Sequence, residues 1–221
     1  MLKEKNYLLK QYIHFLKKLK KKFEFVSFKE FKKTKCICLR HDIDFCLNSA
    51  LKIAKIENKL KIKANYFFLS SYYYDLNSKN SKKIINKIDK MGHYISLHWD
   101  LSENKKKFKF NQNILKQNKN FQNIISIHQP PKKILGKKIK DLKHTYEKRF
   151  FNKKIYFSDS KGNVTNLFNN FDRINTNISK QILTHPFWYV NPGSSPIEKM
   201  IKFHKKKKFN INYLKKNYNI L

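Results

Sequence analysis

Short apolar runs alternate with lysine-rich segments of helical period, and this alternation constrains the fold more than any other feature of the chain. "CICL" runs into "RHDID", and "NSALKIAKIENKL" then places apolar residues at helical spacing. "KANYFFL", "HYISLHW", "NIISIHQP", "KIYFSDS" and "QILTHPFWY" read as further strands. "SKKIINKIDKM", stopping at Gly92, and "FNQNILKQNKNF" read as helices between them. "SPIEKMIKFHKKKKF" is a helix entered through Ser-Pro, with a glutamate in its first turn. A parallel strand pair needs a crossover long enough to hold a helix, so this order predicts an α/β fold with a parallel sheet. In the first 22 residues Leu8, Leu9, Tyr12, Phe15, Leu16 and Leu19 fall near one helical face, which predicts a helix over about 4–22 that packs on its own domain. No linker or repeat divides the chain, so residues 1–221 are expected to form a single domain.

Four strands end in a histidine: His41, His98, His128 and His185. In a β/α barrel the C-terminal strand ends build the active site. Strand side chains repeat every two residues. Ile95, Leu97 and Trp99 therefore share a face toward covering helices, and His98 lies on the other with Ser96 and Tyr94. Asp42 and Asp44 share a face by the same rule. Any one of these histidines reads most simply as a satisfied strand-end residue. Four at the same topological place, beside two carboxylates, make an oxygen and imidazole cluster suited to zinc or a similar divalent ion. His14, His144 and His204 fall in helices or loops and are expected at the surface. His93 has the opposite parity to His98, which predicts a structural place under the barrel.

The formal net charge is +35, from 50 lysines and arginines against 15 acidic residues. Arginine occurs only at Arg40, Arg149 and Arg173. Specific nucleic-acid readers rely on arginine for bidentate contacts, so a solvated lysine coat is expected and a specific nucleic-acid partner is not. Lysine, asparagine, isoleucine, phenylalanine and tyrosine are inflated together, as AT-rich codons would produce. Cys36 and Cys38 share a strand face and read as core residues, since no second cysteine pair completes a structural zinc site. Free thiols, Cys46 included, fit a reducing compartment. No run has the length of a transmembrane helix, and lysines interrupt the N-terminal helix too often for an export signal. A cytoplasmic protein is the expectation.

These blocks resemble the polysaccharide deacetylase superfamily (carbohydrate esterase family four, NodB-like), in particular the branch whose first motif reads Arg-His-Asp-Val-Asp. Here that motif is "RHDID". "KANYFFL", "MGHYISLHWD", "SIHQP", "YFSDSKG" and "LTHPFWY" resemble the later blocks in order, over roughly residues 35–195. The resemblance implies a distorted (β/α) barrel with parallel strands. It also implies a metal-dependent hydrolase that removes the acetyl group from an N-acetylated sugar. Carried over by position, Asp42 is the general base, Asp44 and His98 are metal ligands, and His185 is the general acid. Asp159 is placed to orient His185. Arg40, His41 and Trp188 are expected at the substrate, with Trp188 and Tyr189 either a sugar-stacking wall or ordinary packing.

Two blocks depart from the pattern. The family's second metal histidine falls at Ser102, and the usual arginine block is replaced by "HQP". Asp100 and His128 are the candidates for the missing ligand, and His128 is preferred because it ends a strand. Its alternative role is a hydrogen bond to substrate in place of the absent arginine. Within this reading the substrate is a sugar intermediate of surface-polysaccharide or glycoconjugate synthesis, nucleotide- or lipid-linked. A saccharide-binding member without activity is the alternative, and a nucleic-acid-associated basic protein the weaker one.

Overall fold

The structure, a computed structural model, describes residues 7–171 and 177–214. Its sheet is built from β1 (Glu24–Phe25), β2 (Cys36–Ile43), β3 (Asn65–Phe68), β4 (Tyr94–Trp99), β5 (Phe121–Ile127), β6 (Tyr156–Ser158) and β7 (Lys180–Thr184). All neighbours are parallel, in the order β5-β4-β3-β2-β7-β6, with β1 beside the start of β2. The helices are α1 (Tyr7–Lys20), α2 (Leu47–Lys59), α3 (Lys79–Lys90), α4 (Lys105–Leu115), α5 (Val164–Phe171), α6 (Pro186–Val190) and α7 (Pro196–Lys207).

The helices begin and end where side chains satisfy exposed backbone groups. Ser78 accepts the Ser81 N–H at the start of α3, which stops before Gly92 at φ +84. Ser195 accepts the Glu198 N–H at the start of α7, with Pro196 in its first turn. The helix expected over "FNQNILKQNKNF" starts earlier, because Asn104 accepts the Lys107 N–H and caps α4. The strand expected over "QILTHPFWY" stops at Thr184; Pro186 then opens α6. α1 docks on its own domain, with Tyr12 4.6 Å from Tyr189 and Phe15 5.0 Å from Phe168.

β2 is buried along its whole length, as a strand covered on both faces must be. Ile37, Leu39 and Ile43 face the helices in the larger core. Cys36 and Cys38 face inward, packed with Phe28, Phe67, Ile124 and Phe150 in a second core. Above this plug the same inward row continues as Arg40, Asp42 and Asp44.

The inward face is the lumen of a barrel. Ser126 Oγ, at the end of β5, donates to Asp42 Oδ2 on β2 at 2.8 Å. β3 and β4 lie between them, and a flat sheet at about 4.8 Å per strand would hold them roughly 14 Å apart. Two short side chains cannot bridge that gap, so the sheet is curled. Among the described residues β5 and β6 do not pair. The segment around residues 143–146 fills the gap, with Ile125 bridged to His144 and Gln181 Nε2 donating to the Thr145 and Phe150 carbonyls. This irregular wall is the distortion of the barrel.

Two histidines expected at the surface are buried. His144 belongs to that wall, where its Nδ1 accepts the Tyr146 N–H. His204 sits on α7 against Tyr73, whose hydroxyl lies 3.1 Å from its Nε2. His14 is exposed. His93 is structural but lies between the sheet and α2: its Nδ1 accepts the Ala64 N–H and its Nε2 donates to the Ala54 carbonyl.

Candidate active site

At the top of the lumen Asp42 is held by Arg40 from the same strand. Arg40 Nε donates to Oδ1 at 2.9 Å and Nη2 to Oδ2 at 2.6 Å. The guanidinium is fully buried; Nη1 donates to Gln181 Oε1, and the second Nη2 proton is shared between Ser126 Oγ and Tyr146 Oη. Burial alone would push the Asp42 carboxyl up, but Arg40 and His98 hold it well below the usual carboxylate range.

Asp44, just past β2, meets His98 from β4 and His128 from the end of β5. His98 Nδ1 donates to the Ser126 carbonyl at 2.9 Å, which turns Nε2 toward Asp44 Oδ1 at 3.1 Å and His128 Nδ1 at 3.1 Å. His128 Nδ1 is 3.9 Å from the same Asp44 oxygen. One ligand atom from each residue lies within 4.8 Å of the others. Asp44 Oδ1 is buried without a well-directed hydrogen bond among the described residues. Two imidazoles and a carboxylate oxygen converge on one point, the second nitrogen of His98 is fixed by a carbonyl, and a divalent ion fits this donor set. Burial opposes charge on both rings. Asp42 and Asp44 nevertheless raise His98, while burial and the neighbouring His98 lower His128.

His185 follows β7. Its Nδ1 lies 2.6 Å from Asp159 Oδ1, its backbone N–H donates to Oδ2 at 2.9 Å, and Tyr189 Oη donates to Oδ2 at 2.8 Å. Burial works against the imidazolium, but Asp159, with Asp44 and Asp42 beyond it, pushes His185 up to about 9. Its Nε2 is 3.8 Å from Asp44 Oδ2.

Asp42, Asp44, His98, His128, His185 and Trp188 line one cavity of about 850 Å³. Phe45, Leu183 and Met200 form its apolar wall. Trp188 Nε1 is buried with no hydrogen-bond partner among the described residues. Tyr189 is packed behind it on Tyr12. Arg40 and His41, expected at the substrate, do not reach this cavity. Arg40 lies beneath Asp42. His41 is on the opposite face by strand alternation, with Nε2 2.8 Å from Glu57 Oε1 and Nδ1 2.7 Å from Thr184 Oγ1. Ser102 lies in the following loop, its N–H donating to Asp100 Oδ1 at 2.8 Å. Asp100 is therefore a loop cap, outside the Asp44–His98–His128 group.

Two contributors escaped the sequence reading. Tyr146 sits in "KHTYEK", which has no strand pattern, and nothing local marks it. Glu57 left a signal: it shares the buried face of α2 with Ala50, Ile53 and Ala54, where a lone carboxylate demands partners.

No family model matches this chain, and no curated protein matches it. It is similar in structure to the Xyl-CE4 domain of a multidomain xylanase from the hindgut metagenome of Trinervitermes trinervoides, at 14% identity over 83% of this chain and 90% of that one, TM-score 0.48. It is similar also to the Bc1960 peptidoglycan N-acetylglucosamine deacetylase, at 16% identity, 81% of both chains and TM-score 0.44. A third is the chitin deacetylase from Colletotrichum lindemuthianum, at 14% identity, 79% of this chain and 83% of that one, TM-score 0.42. The first is a CE4 domain and the other two are deacetylases. Likenesses this remote assign no activity to the chain.

Proposed function

We propose that this chain is a metal-dependent carbohydrate N-deacetylase of the polysaccharide deacetylase superfamily. Its substrate is the N-acetyl group of a sugar intermediate, nucleotide- or lipid-linked, in surface-polysaccharide or glycoconjugate synthesis. One observation carries the reading: Asp42 and the Asp159-bound His185 flank the Asp44–His98–His128 donor set within a single cavity.

Amide hydrolysis needs a proton acceptor for the attacking water and a proton donor for the departing amine. Asp44 Oδ1, His98 Nε2 and His128 Nδ1 would hold a divalent ion, by donor type zinc, which when bound supplies Lewis-acid polarisation and acidifies water. Asp42 is the acceptor. Arg40 Nη2 and Ser126 use its Oδ2, and Arg40 Nε uses one site on Oδ1, so Oδ1 keeps a lone pair for the incoming proton. Arg40 keeps the group anionic, so it accepts a proton and passes it on. His185, charged near neutral pH, donates from Nε2 to the leaving nitrogen while Asp159 fixes its ring. Trp188 offers an apolar face for the sugar ring. The cysteines Cys36, Cys38 and Cys46 are free thiols, which supports a cytoplasmic setting.

The test is acetate release from a panel of N-acetylated sugars, free, nucleotide-linked and lipid-linked, by zinc-loaded protein. Turnover is expected, and Asp42→Asn should lower it by roughly a hundredfold or more while zinc stays bound. Zinc and sugar bound with no acetate released from any member would replace this reading with a saccharide-binding one.

A further inference from the structure

A second cavity, of about 620 Å³, opens beside the edge strand β6 and shares no lining residue with the catalytic one. Lys153, Lys154 and Lys180 line it, with Ser158, Asn166 and Asn170 completing its polar wall. No carboxylate lines it among the described residues.

Lys180 is the decisive residue. It opens β7 with the same parity as Ile182 and Thr184, which face the helical layer, so an apolar side chain is the expected occupant. A lysine stands there instead, only 1% exposed. Its Nζ donates to the Lys154 carbonyl at 3.0 Å, and no carboxylate pairs with it among the described residues. An ammonium has three protons to donate, and an occluded cation without a counter-ion costs stability. The surface lysines of this chain avoid that cost by standing in water. Burial lowers the Lys180 pKa, as expected where nothing compensates its charge.

We propose that this cavity is an anion site that takes the phosphate or diphosphate group of a small ligand, with Lys180 as its buried counter-charge. The Lys153 and Lys154 ammonium groups add charge at the rim, and the Asn166 and Asn170 amides and the Ser158 hydroxyl add neutral donors. A tetrahedral oxyanion has enough oxygens to engage several of these at once. Lys154 lies just before β6 and Lys180 is the first residue of β7, while Ser158 closes β6 next to Asp159. The site runs along the outer side of β6 and shares no lining residue with the first cavity, so its anion is not the reacting group.

The experiment titrates inorganic pyrophosphate into the zinc-loaded chain at constant ionic strength, by calorimetry. It compares wild type, Lys180→Met, Asn170→Asp, and Lys205→Ala/Lys206→Ala on the surface of α7. Wild type and the α7 variant are expected to bind one pyrophosphate saturably. Lys180→Met and Asn170→Asp should weaken binding by roughly tenfold or more, the first by removing the counter-charge and the second by neutralising it. Without pyrophosphate, Lys180→Met should melt at or above the wild-type temperature, since it deletes an unpaired buried charge. Equal binding by wild type and Asn170→Asp, or graded, unsaturable uptake that the α7 variant reduces, would overturn the site. So would a Lys180→Met protein that unfolds, because it would make the lysine structural. Competition for the site by phosphatidylglycerol vesicles would identify the phosphate as a lipid headgroup, and competition by a soluble nucleoside diphosphate alone would identify a free one.

Discussion

His128 stands 3.1 Å from His98 Nε2 and is the part of the donor set that the family pattern does not supply. With Ser102 and Asp100 committed to a loop turn, no other described side chain joins Asp44 and His98. His128→Ala is therefore expected to weaken zinc binding by about tenfold to a hundredfold while the far-UV spectrum stays unchanged, as competition against a chromophoric chelator would show. Unchanged affinity would leave the ion two protein ligands and remove His128 from the site. Arg40 carries a different load. It and Asp42 are a buried pair with almost no exposure, so Arg40→Met strands a carboxylate and unties Tyr146 and Gln181. The expected loss is about 3–5 kcal/mol in urea unfolding, well beyond that of a surface lysine substitution.

At the level of elements, the joint between the sheet and its helices is a polar cluster around Glu57 of α2. Its carboxylate accepts from Tyr12 of α1 at 2.6 Å and Tyr66 of β3 at 2.6 Å, and meets His41 of β2 at 2.8 Å. His41 in turn contacts Thr184, next to His185, so the helix layer and the end of β7 share one network. Burial pushes Glu57 up, yet His41 holds it below its ordinary 4.5. A carboxylate depressed in the folded state stabilises above the unfolded value and loses that contribution as pH falls through the folded one. Burial also keeps His93 below its ordinary 6.5, so its protonation on acidification acts in the same direction. Wild type is expected to lose stability steadily below about pH 6.5 and more steeply below about 4.5. Glu57→Gln should start about 3 kcal/mol less stable at pH 7 and show a flatter limb below pH 4.5. Parallel acid limbs for the two proteins, measured by urea midpoints, would place the titration elsewhere.

Across the whole molecule the lysine coat dominates. A net charge of +35 repels itself wherever the screening length is long, about 30 Å at 0.01 M salt against about 8 Å at physiological strength. Raising sodium chloride from about 0.01 M to 0.3 M should therefore raise the melting temperature by roughly 2–8 °C, the shift that 1–2 kcal/mol gives a chain of this size. A melting temperature independent of salt would mean that the coat is already neutralised. Retention on nucleic acid should vanish over the same range, since few arginines are present to read bases.

The local pattern of the chain determined the strands, the helices and the face each residue presents, because period and parity are properties of neighbours in sequence. Parity pairs Asp42 with Asp44 and Cys36 with Cys38 on shared strand faces and turns His98 away from Ile95, Leu97 and Trp99, while the curl of the sheet makes these faces one lumen. Parity also contained the answer for His41, whose odd position turns it to Glu57. His128 beside His98 and Asp159 on His185 are expectations of the sequence and its resemblance; only the tertiary structure decided the other meetings across the barrel, Ser126 on Asp42 and Tyr146 from a segment without a strand pattern. Those contacts depend on how far the sheet curls and on which loop closes the gap between β5 and β6. That is a sum of packing over the whole chain, which no short stretch of sequence encodes.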